Sequence, residues 1–265
     1  MKEIRIHQIE NYIYEKETVS LTDLAEEFGV SLNTIRRDIN YLEESGVLKK
    51  VYGGVVSNRN KELTAYDYRE SKFEKEKEDI AKIAASRIEH NDHVFIDSGT
   101  TTNKILNFVP QDLAFTVLTT NLDIVIASLN LPNVEVIIIG NRLNKPTRSF
   151  LNDNIMLMVN KNNQRDNCSD TNYNITKAFM ATTGTSIKSG VTNSDYHEFA
   201  TKKLMANKAH EVYVLADESK FGKEAILTYA DYNDVDAIIT NRTPAAEYVK
   251  NCEVYNVDII TPNSG

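Results

Sequence analysis

Two kinds of chemistry are spelled out along this chain, and the first is anion binding. Asp97-Ser98-Gly99-Thr100-Thr101-Thr102 follows the apolar run HVFI and precedes NKILNFV, whose spacing is helical. A loop of small residues at a helix start presents N–H groups and hydroxyls, the donors a phosphate needs. Ser and Thr also cap helices without any ligand, so this loop alone does not decide the matter. Three more apolar runs end in similar residues: Thr119-Thr120-Asn121, Thr182-Thr183-Gly184-Thr185 and Asp217-Glu218-Ser219-Lys220. Their hydroxyls and amide suit sugar hydroxyls, Lys220 could neutralise a phosphate as a point charge, and Asp97 could orient a hydroxyl or a backbone N–H. Arg148, in KPTRSF, could serve as a second anion partner. No GxxxxGK[ST] or GxGxxG occurs, which excludes the usual nucleotide cradles.

The second chemistry is the reading of base edges. In SLNTIRRDINYLEESG, Ser31 caps a helix, Leu32, Ile35, Ile39 and Leu42 face inward, and Gly46 closes it. Asn33, Thr34, Arg36, Arg37, Asn40 and Tyr41 are left facing outward from its first turns. Arginine can bond guanine O6 and N7 together, and Asn can do the same for adenine. Arg37, Lys49, Lys50 and Tyr52 suit phosphates, which hold register without reading sequence.

The elements that must position these residues follow from local pattern. Ile6, Ile9 and Ile13 form one stripe of a first helix. Ser20 with Asp23 caps LTDLAEEF, Gly29 ends it by accepting positive φ, and Gly53-Gly54 turns a hairpin wing. That order predicts a winged helix-turn-helix. From His93 onward HVFID, FTVLTT, VEVIIIG, KAFMATT, EVYVLA and DAIIT are continuously apolar and β-branched, as strands covered on both faces are. Helical spacing recurs between them, at 121–130 and 194–209, so an α/β domain with a mostly parallel sheet is expected, its ligands beyond the carboxyl ends of the strands. The expected division is 1–57 for the winged domain, a polar linker over 58–75 leading into a helix carrying Ile80, Ile83, Ala84 and Ile88, and 76–265 for the α/β domain.

The totals limit the alternatives. At 265 residues the chain can bury two cores; 41% hydrophobic and 26% charged residues are ordinary for a globular protein. A net charge of −8 does not advertise a nucleic-acid binder, and residues 1–56 hold seven basic against ten acidic side chains. The attraction must therefore be local, and four of those seven (Arg36, Arg37, Lys49 and Lys50) lie on the reading helix and the wing. Cys168 and Cys252 stand alone, outside any CxxC or Cys/His cluster, so no disulfide framework, metal or cofactor is expected. No membrane span or secretory signal is evident, which points to the cytoplasm.

VSLNTIRRDINYLEESGVLKKVYGGVV resembles the DNA-binding motif of the DeoR-type bacterial repressors, a pattern specific over some thirty residues. The resemblance implies that Thr34, Arg36, Arg37 and Asp38 recognise an operator. EKEDIAKIAA, with Arg69 upstream, resembles the opening of that family's second domain; VFIDSGTTT, LTTN, TGTSIKSGVTNSD and LADESKFGK resemble its effector domain, which is similar in fold to ribose-phosphate isomerases. A phosphorylated sugar or sugar-like effector is thereby implied, with Asp97, Gly99, Thr100, Thr101, Asn121, Gly184 and Lys220 near it. IIIGNR, TRSF, KAFMATTGT, GVTNSD and SKFGKEAILTYA resemble repressors of myo-inositol catabolism operons, whose inducer is a phosphorylated keto-deoxy-gluconate. One departure is an Asn-rich stretch over 160–174, longer than the family usually allows, expected to be an exposed, mobile loop; Asn141 after Gly140 replaces a Gly-Gly pair that many members carry, though the inositol-type repressors share the Asn form.

The leading expectation is a repressor that reads double-stranded operator DNA as a homo-oligomer, dimer or tetramer, and releases it on binding a phosphorylated sugar or inositol-derived effector. A rival is a sugar-phosphate isomerase with an accessory DNA-binding domain, using Asp97, Asp217 and Lys220 as acid and base groups. A third is a protein-interaction module built on the winged domain.

Overall fold

The computed structural model describes residues 5–6, 8–9, 12–13, 16, 18–44, 48–51, 53–57, 66, 69–152 and 173–262. The chain divides into two compact units, Met1–Lys72 with Lys145–Thr147, and Phe73–Asn144 with Arg148–Gly265.

In the first unit the described residues from 5 to 16 are helical, and Ile6, Ile9 and Ile13 are buried as the stripe requires. Then come β1 (Thr18–Ser20), α1 (Leu21–Glu27), α2 (Leu32–Glu44), β2 (Leu48–Val51) and β3 (Gly54–Ser57). The Ser20 hydroxyl accepts from Asp23 N at 3.0 Å to cap α1, and Gly29 lies at φ +59° where the chain turns toward α2. Ile35, Ile39 and Leu42 of α2 join Leu24, Val19, Leu48 and Val55 in one core. Each fully buried Leu or Ile there contributes about 1.5–3 kcal/mol. Leu32 departs from expectation: it is 41% exposed, because it sits in the first turn before the helix meets the core. β2 and β3 form the wing, Lys50 opposite Val55 and Val51 opposite Gly54, with Gly53 at φ +87° in the turn. β1 was not anticipated; it pairs antiparallel with β3 to give the order β1-β3-β2. That pairing brings Gly54 so close to Val19 that a Cβ would lie 2.4 Å from the Val19 carbonyl oxygen.

The second unit opens with α3 (Glu74–Ala85), which begins inside the stretch read as linker. Its sheet comprises β4 (His93–Ile96), β5 (Phe115–Thr119), β6 (Val134–Ile138), β9 (Ile175–Ala181), β12 (Ala209–Leu215), β14 (Ala237–Ile239) and β15 (Asp258–Ile260). All seven are parallel, in the order β15-β14-β12-β9-β4-β5-β6. Alternate residues enter different cores. Val94 and Ile96 pack with Ile80 of α3 and Ile124 of α4 (Leu122–Ser128), while Phe95 packs with Met205 of α5 (Tyr196–Lys208) and Cys252 of α6 (Ala246–Tyr255). Burial on both faces is why these strands read as unbroken apolar runs. β15, a three-residue DII, was not anticipated, nor were two antiparallel additions. One is the hairpin of β7 (Arg142–Asn144) and β8 (Ser149–Leu151). The other is a small sheet of β10 (Gly184–Ser186), β11 (Gly190–Asn193) and β13 (Leu227–Ala230). NKILNFV is a 3-10 helix over Thr102–Phe108 rather than an α-helix.

From β4 the chain winds outward through β5 to β6, then returns to the other side of β4 as β9 and winds the opposite way. The β4/β9 gap is therefore the point where strand order reverses, and the crevice beyond the strand ends there is where such sheets take ligands. No described helix is long and apolar enough to cross a membrane.

Candidate functional site

On α2, Asn33, Arg36, Arg37 and Asn40 are exposed along one side of the helix. Ser31 and Thr34 act as its cap: Thr34 N donates to Ser31 Oγ at 3.2 Å and the two hydroxyls lie 2.9 Å apart. Lys49 is exposed on the wing, but Lys50 is engaged. Its Nζ bonds Asn40 Oδ1 at 2.6 Å and forms an ion pair with Glu43, whose carboxyl that hydrogen bond pulls below its usual range. Lys50 and Asn40 thus tie the wing to the reading helix before any DNA is met. Tyr52 lies outside the described residues. Asp38 corrects an expectation: it is 1% exposed and accepts from Arg5 Nε at 2.8 Å, so it anchors α2 within its own unit and does not face bases.

In the second unit a small, partly open cleft lies at the reversal point, lined by Asp97, Ser98, Thr120, Phe150, His197, Glu198 and Thr201. Asp97 is its buried anchor. Its Oδ1 accepts from Ser98 N at 2.8 Å, its Oδ2 accepts from Ala181 N at 2.9 Å, and Lys202 closes an ion pair on it. Lys202 is 1% exposed, also donates to Ala181 O at 3.2 Å and lies 5.5 Å from the centre of the Tyr229 ring. Next in the loop, the amides of Gly99, Thr100 and Thr101 donate to nothing among the described residues. Three such amides in a row, beside a buried carboxylate already neutralised, can receive an anion.

Of the residues singled out from sequence, Asp97, Ser98 and Thr120 line the cleft, with Gly99, Thr100 and Thr101 adjoining it. Thr102 does not: its hydroxyl donates to Asp97 O at 2.6 Å and Gly99 O at 3.2 Å, holding the loop closed on itself. Asn121, 1% exposed, caps α4 through Oδ1 to Asp123 N at 2.8 Å, while its Nδ2 is buried with no hydrogen-bond partner among the described residues. Arg148, at φ +49°, reaches Asp123 at 3.2 Å. Gly184 and Thr185 are not among the residues lining the cleft: a Cβ on Gly184 would lie 2.5 Å from Lys223 O, and the buried Thr185 hydroxyl sits 3.1 Å from the Tyr232 hydroxyl. Lys220 ends a short 3-10 turn over Glu218–Lys220 and is not among the residues lining the cleft. The Asn-rich stretch falls almost wholly outside the described residues, as does Cys168. Cys252 is buried, which pushes its thiol up to about 11.

The helix expected over 194–209 is α5, but the residues it places on one face at i, i+3 and i+4, Glu198, Thr201 and Lys202, were not singled out from sequence. Asp195 caps that helix through His197 N at 2.7 Å. The Glu198 carboxyl is raised above its usual range, by burial first, with Asp195 and Asp97 adding to the effect while Lys202 and Ser149 oppose it. Its Oε1 accepts from Ser98 Oγ at 3.2 Å and from Ser149 Oγ at 3.1 Å, joining the β4 loop and β8 to α5. Asp97 is committed to Lys202 and two amides, and Asp217 to Ser219, so both carboxylates named for isomerase chemistry already have partners.

Comparison with known proteins agrees with this division. Residues 5–61 match the DeoR-like helix-turn-helix domain and residues 72–242 the DeoR C terminal sensor domain. The HTH-type transcriptional regulator IolR of Bacillus subtilis is 44% identical, over 98% of this chain and 99% of that protein. The glycerol-3-phosphate regulon repressor of Escherichia coli K12 is 25% identical, over 92% and 93%. Ribose 5-phosphate isomerase A from Methanocaldococcus jannaschii overlays 56% of this chain and 54% of its own at 14% identity, with a TM-score of 0.39, too slight a likeness to carry an argument. With both family domains matched in order and a relative alike from end to end, the chain belongs to the DeoR family: it is a DNA-binding transcriptional repressor carrying that family's sensor domain, not an enzyme.

Proposed function

We propose that this repressor controls a sugar or polyol catabolic operon, that of myo-inositol in particular, and releases its operator when a phosphorylated sugar-like effector occupies the cleft at the β4/β9 reversal. The observation that carries the reading is the row of undonated amides at Gly99, Thr100 and Thr101 beside an Asp97 whose charge Lys202 already cancels. The inositol assignment is supported by the likeness to IolR. On this reading Arg36 and Asn33 meet base edges, Arg37 and Lys49 meet phosphates, and two-fold half-sites are read by a homodimer or a tetramer. The effector need only bind the DNA-incompetent arrangement better, by a coupling of roughly 1–3 kcal/mol. Thermal unfolding of the full chain against phosphorylated sugars, inositol phosphates and the phosphorylated keto-deoxy-gluconate tests it, since a native-state ligand raises the midpoint. A midpoint unmoved by every member of that set refutes the effector reading.

A further inference from the structure

Resting on the sensor reading above, we infer that Glu198 selects the effector by accepting a hydrogen bond from one of its hydroxyls, and that this hydroxyl takes the place of Ser149. The charge pattern of the cleft comes first. Of the carboxylates around it, Asp97 is neutralised by Lys202 and Asp195 is turned to the first amides of α5. Glu198 makes no ion pair among the described residues, and it forms part of the cleft wall. A phosphate therefore cannot lie against it and belongs at the Gly99–Thr101 amides. What faces Glu198 must instead be a neutral donor, and on a phosphorylated sugar or polyol that is a hydroxyl.

The existing bonds of Glu198 leave room for such a guest. A hydroxyl donating to a carboxylate prefers about 2.5–2.7 Å. Ser98 and Ser149 lie at 3.2 and 3.1 Å, both on Oε1, and Oε2 accepts nothing among the described residues. The carboxylate is thus under-used on one oxygen and loosely used on the other. Of the two serines, Ser98 is held through its own backbone by the Asp97 side chain. Ser149 is buried on the β7–β8 hairpin, whose neighbouring ties to this region are Phe150 N to Thr120 O at 2.7 Å and Leu122 N to Arg148 O at 2.9 Å. A ligand hydroxyl that displaces Ser149 removes one of the links between that hairpin and α5, which turns recognition into a local loosening. The ligand class that fits is a phosphorylated polyhydroxy compound with a free hydroxyl remote from its phosphate.

The test is a cycle between ligand and protein in the full chain. Wild type, Glu198→Gln and Ser149→Ala are titrated calorimetrically with glucose 6-phosphate, fructose 6-phosphate, glucitol 6-phosphate and myo-inositol 1-phosphate, and with monodeoxy forms of each. The expected result is that Glu198→Gln weakens binding about tenfold or more. At least one monodeoxy form should bind wild type correspondingly less well, yet lose nothing further in the variant. Ser149→Ala, which removes the competing hydroxyl, should bind the parent ligand more tightly. Equal binding by wild type and Glu198→Gln, or a deoxy penalty undiminished in the variant, overturns the role of Glu198 while leaving the sensor reading intact. Weaker or unchanged binding by Ser149→Ala overturns the displacement. If wild type binds none of the probes, the proposal falls together with a sugar-phosphate effector for this cleft. Should Glu198→Gln fail to fold, the wild-type deoxy series and Ser149→Ala decide between the same outcomes.

Discussion

Replacing Asp97 by Asn puts the buried pair at the heart of the sensor to a quantitative test. Both side chains are 2% exposed, so neither charge can be rescued by water. With the carboxylate gone, Lys202 keeps only the Ala181 carbonyl at 3.2 Å and the face of Tyr229 at 5.5 Å. The new amide would also turn donors toward Lys202 or toward Ala181 N, which now donates to Oδ2 at 2.9 Å. Stranding one partner of a buried pair costs about 3–5 kcal/mol. For a unit of this size each kcal/mol moves the midpoint by about 2–4 °C, so the sensor should melt roughly 6–20 °C lower. Lys202→Met should cost a comparable amount for the complementary reason. The double variant should be less destabilised than the two singles added together, because removing a buried pair altogether is often close to neutral. Urea denaturation of the three variants measures this. Single variants within about 1 kcal/mol of wild type, or strict additivity, would refute the account of Asp97 and Lys202 as one interdependent unit.

Three further outcomes are expected. Arg36→Ala should cost roughly 1–3 kcal/mol at one operator base and relax its preference there, which a binding series over single-base operator variants would detect; an unaltered preference at every position removes Arg36 from base reading. Gly184→Ala forces a Cβ to within 2.5 Å of the Lys223 carbonyl oxygen and should destabilise the sensor by about 1–3 kcal/mol in chemical denaturation, whether or not an effector is present. The raised Glu198 carboxyl gives stability that is complete below its ordinary value of 4.5 and lost as pH rises through the folded value. The midpoint of wild type minus that of Glu198→Gln should therefore fall as pH climbs through that window, and a flat difference contradicts the shift.

How far these features were legible in the sequence depended on whether the causes were local. Caps, turn glycines and apolar spacing act within a few residues, so α1, α2 and the wing could be read from Ser20, Gly29, Ile35, Ile39 and Gly53. Strands buried on both faces announce themselves as unbroken β-branched runs, which exposed six of the seven parallel strands. β15 was too short to stand out, and β10 and β11 are written in Gly, Thr, Ser and Asn, the alphabet of loops. Asp97 could be found because strand ends in such sheets are where ligands go. Its partner could not, since Lys202 lies 105 residues further on, and a Glu and a Lys four apart on a helix read as an ordinary solvated pair. Asp38 erred the other way: beside Arg36 and Arg37 it looks like part of a reading surface, and only Arg5 reveals that it points inward. Nothing local announces the Tyr232 hydroxyl that meets Thr185.

The bond from Lys50 to Glu43 and Asn40 has a consequence for how this repressor searches a chromosome. A cation already paired on the protein's own surface displaces fewer condensed ions when it nears a duplex, so it adds less to the salt-sensitive grip that holds a protein on any sequence. With a chain charge of −8 behind it, that general grip is left to Arg36, Arg37 and Lys49 on the reading helix and the wing.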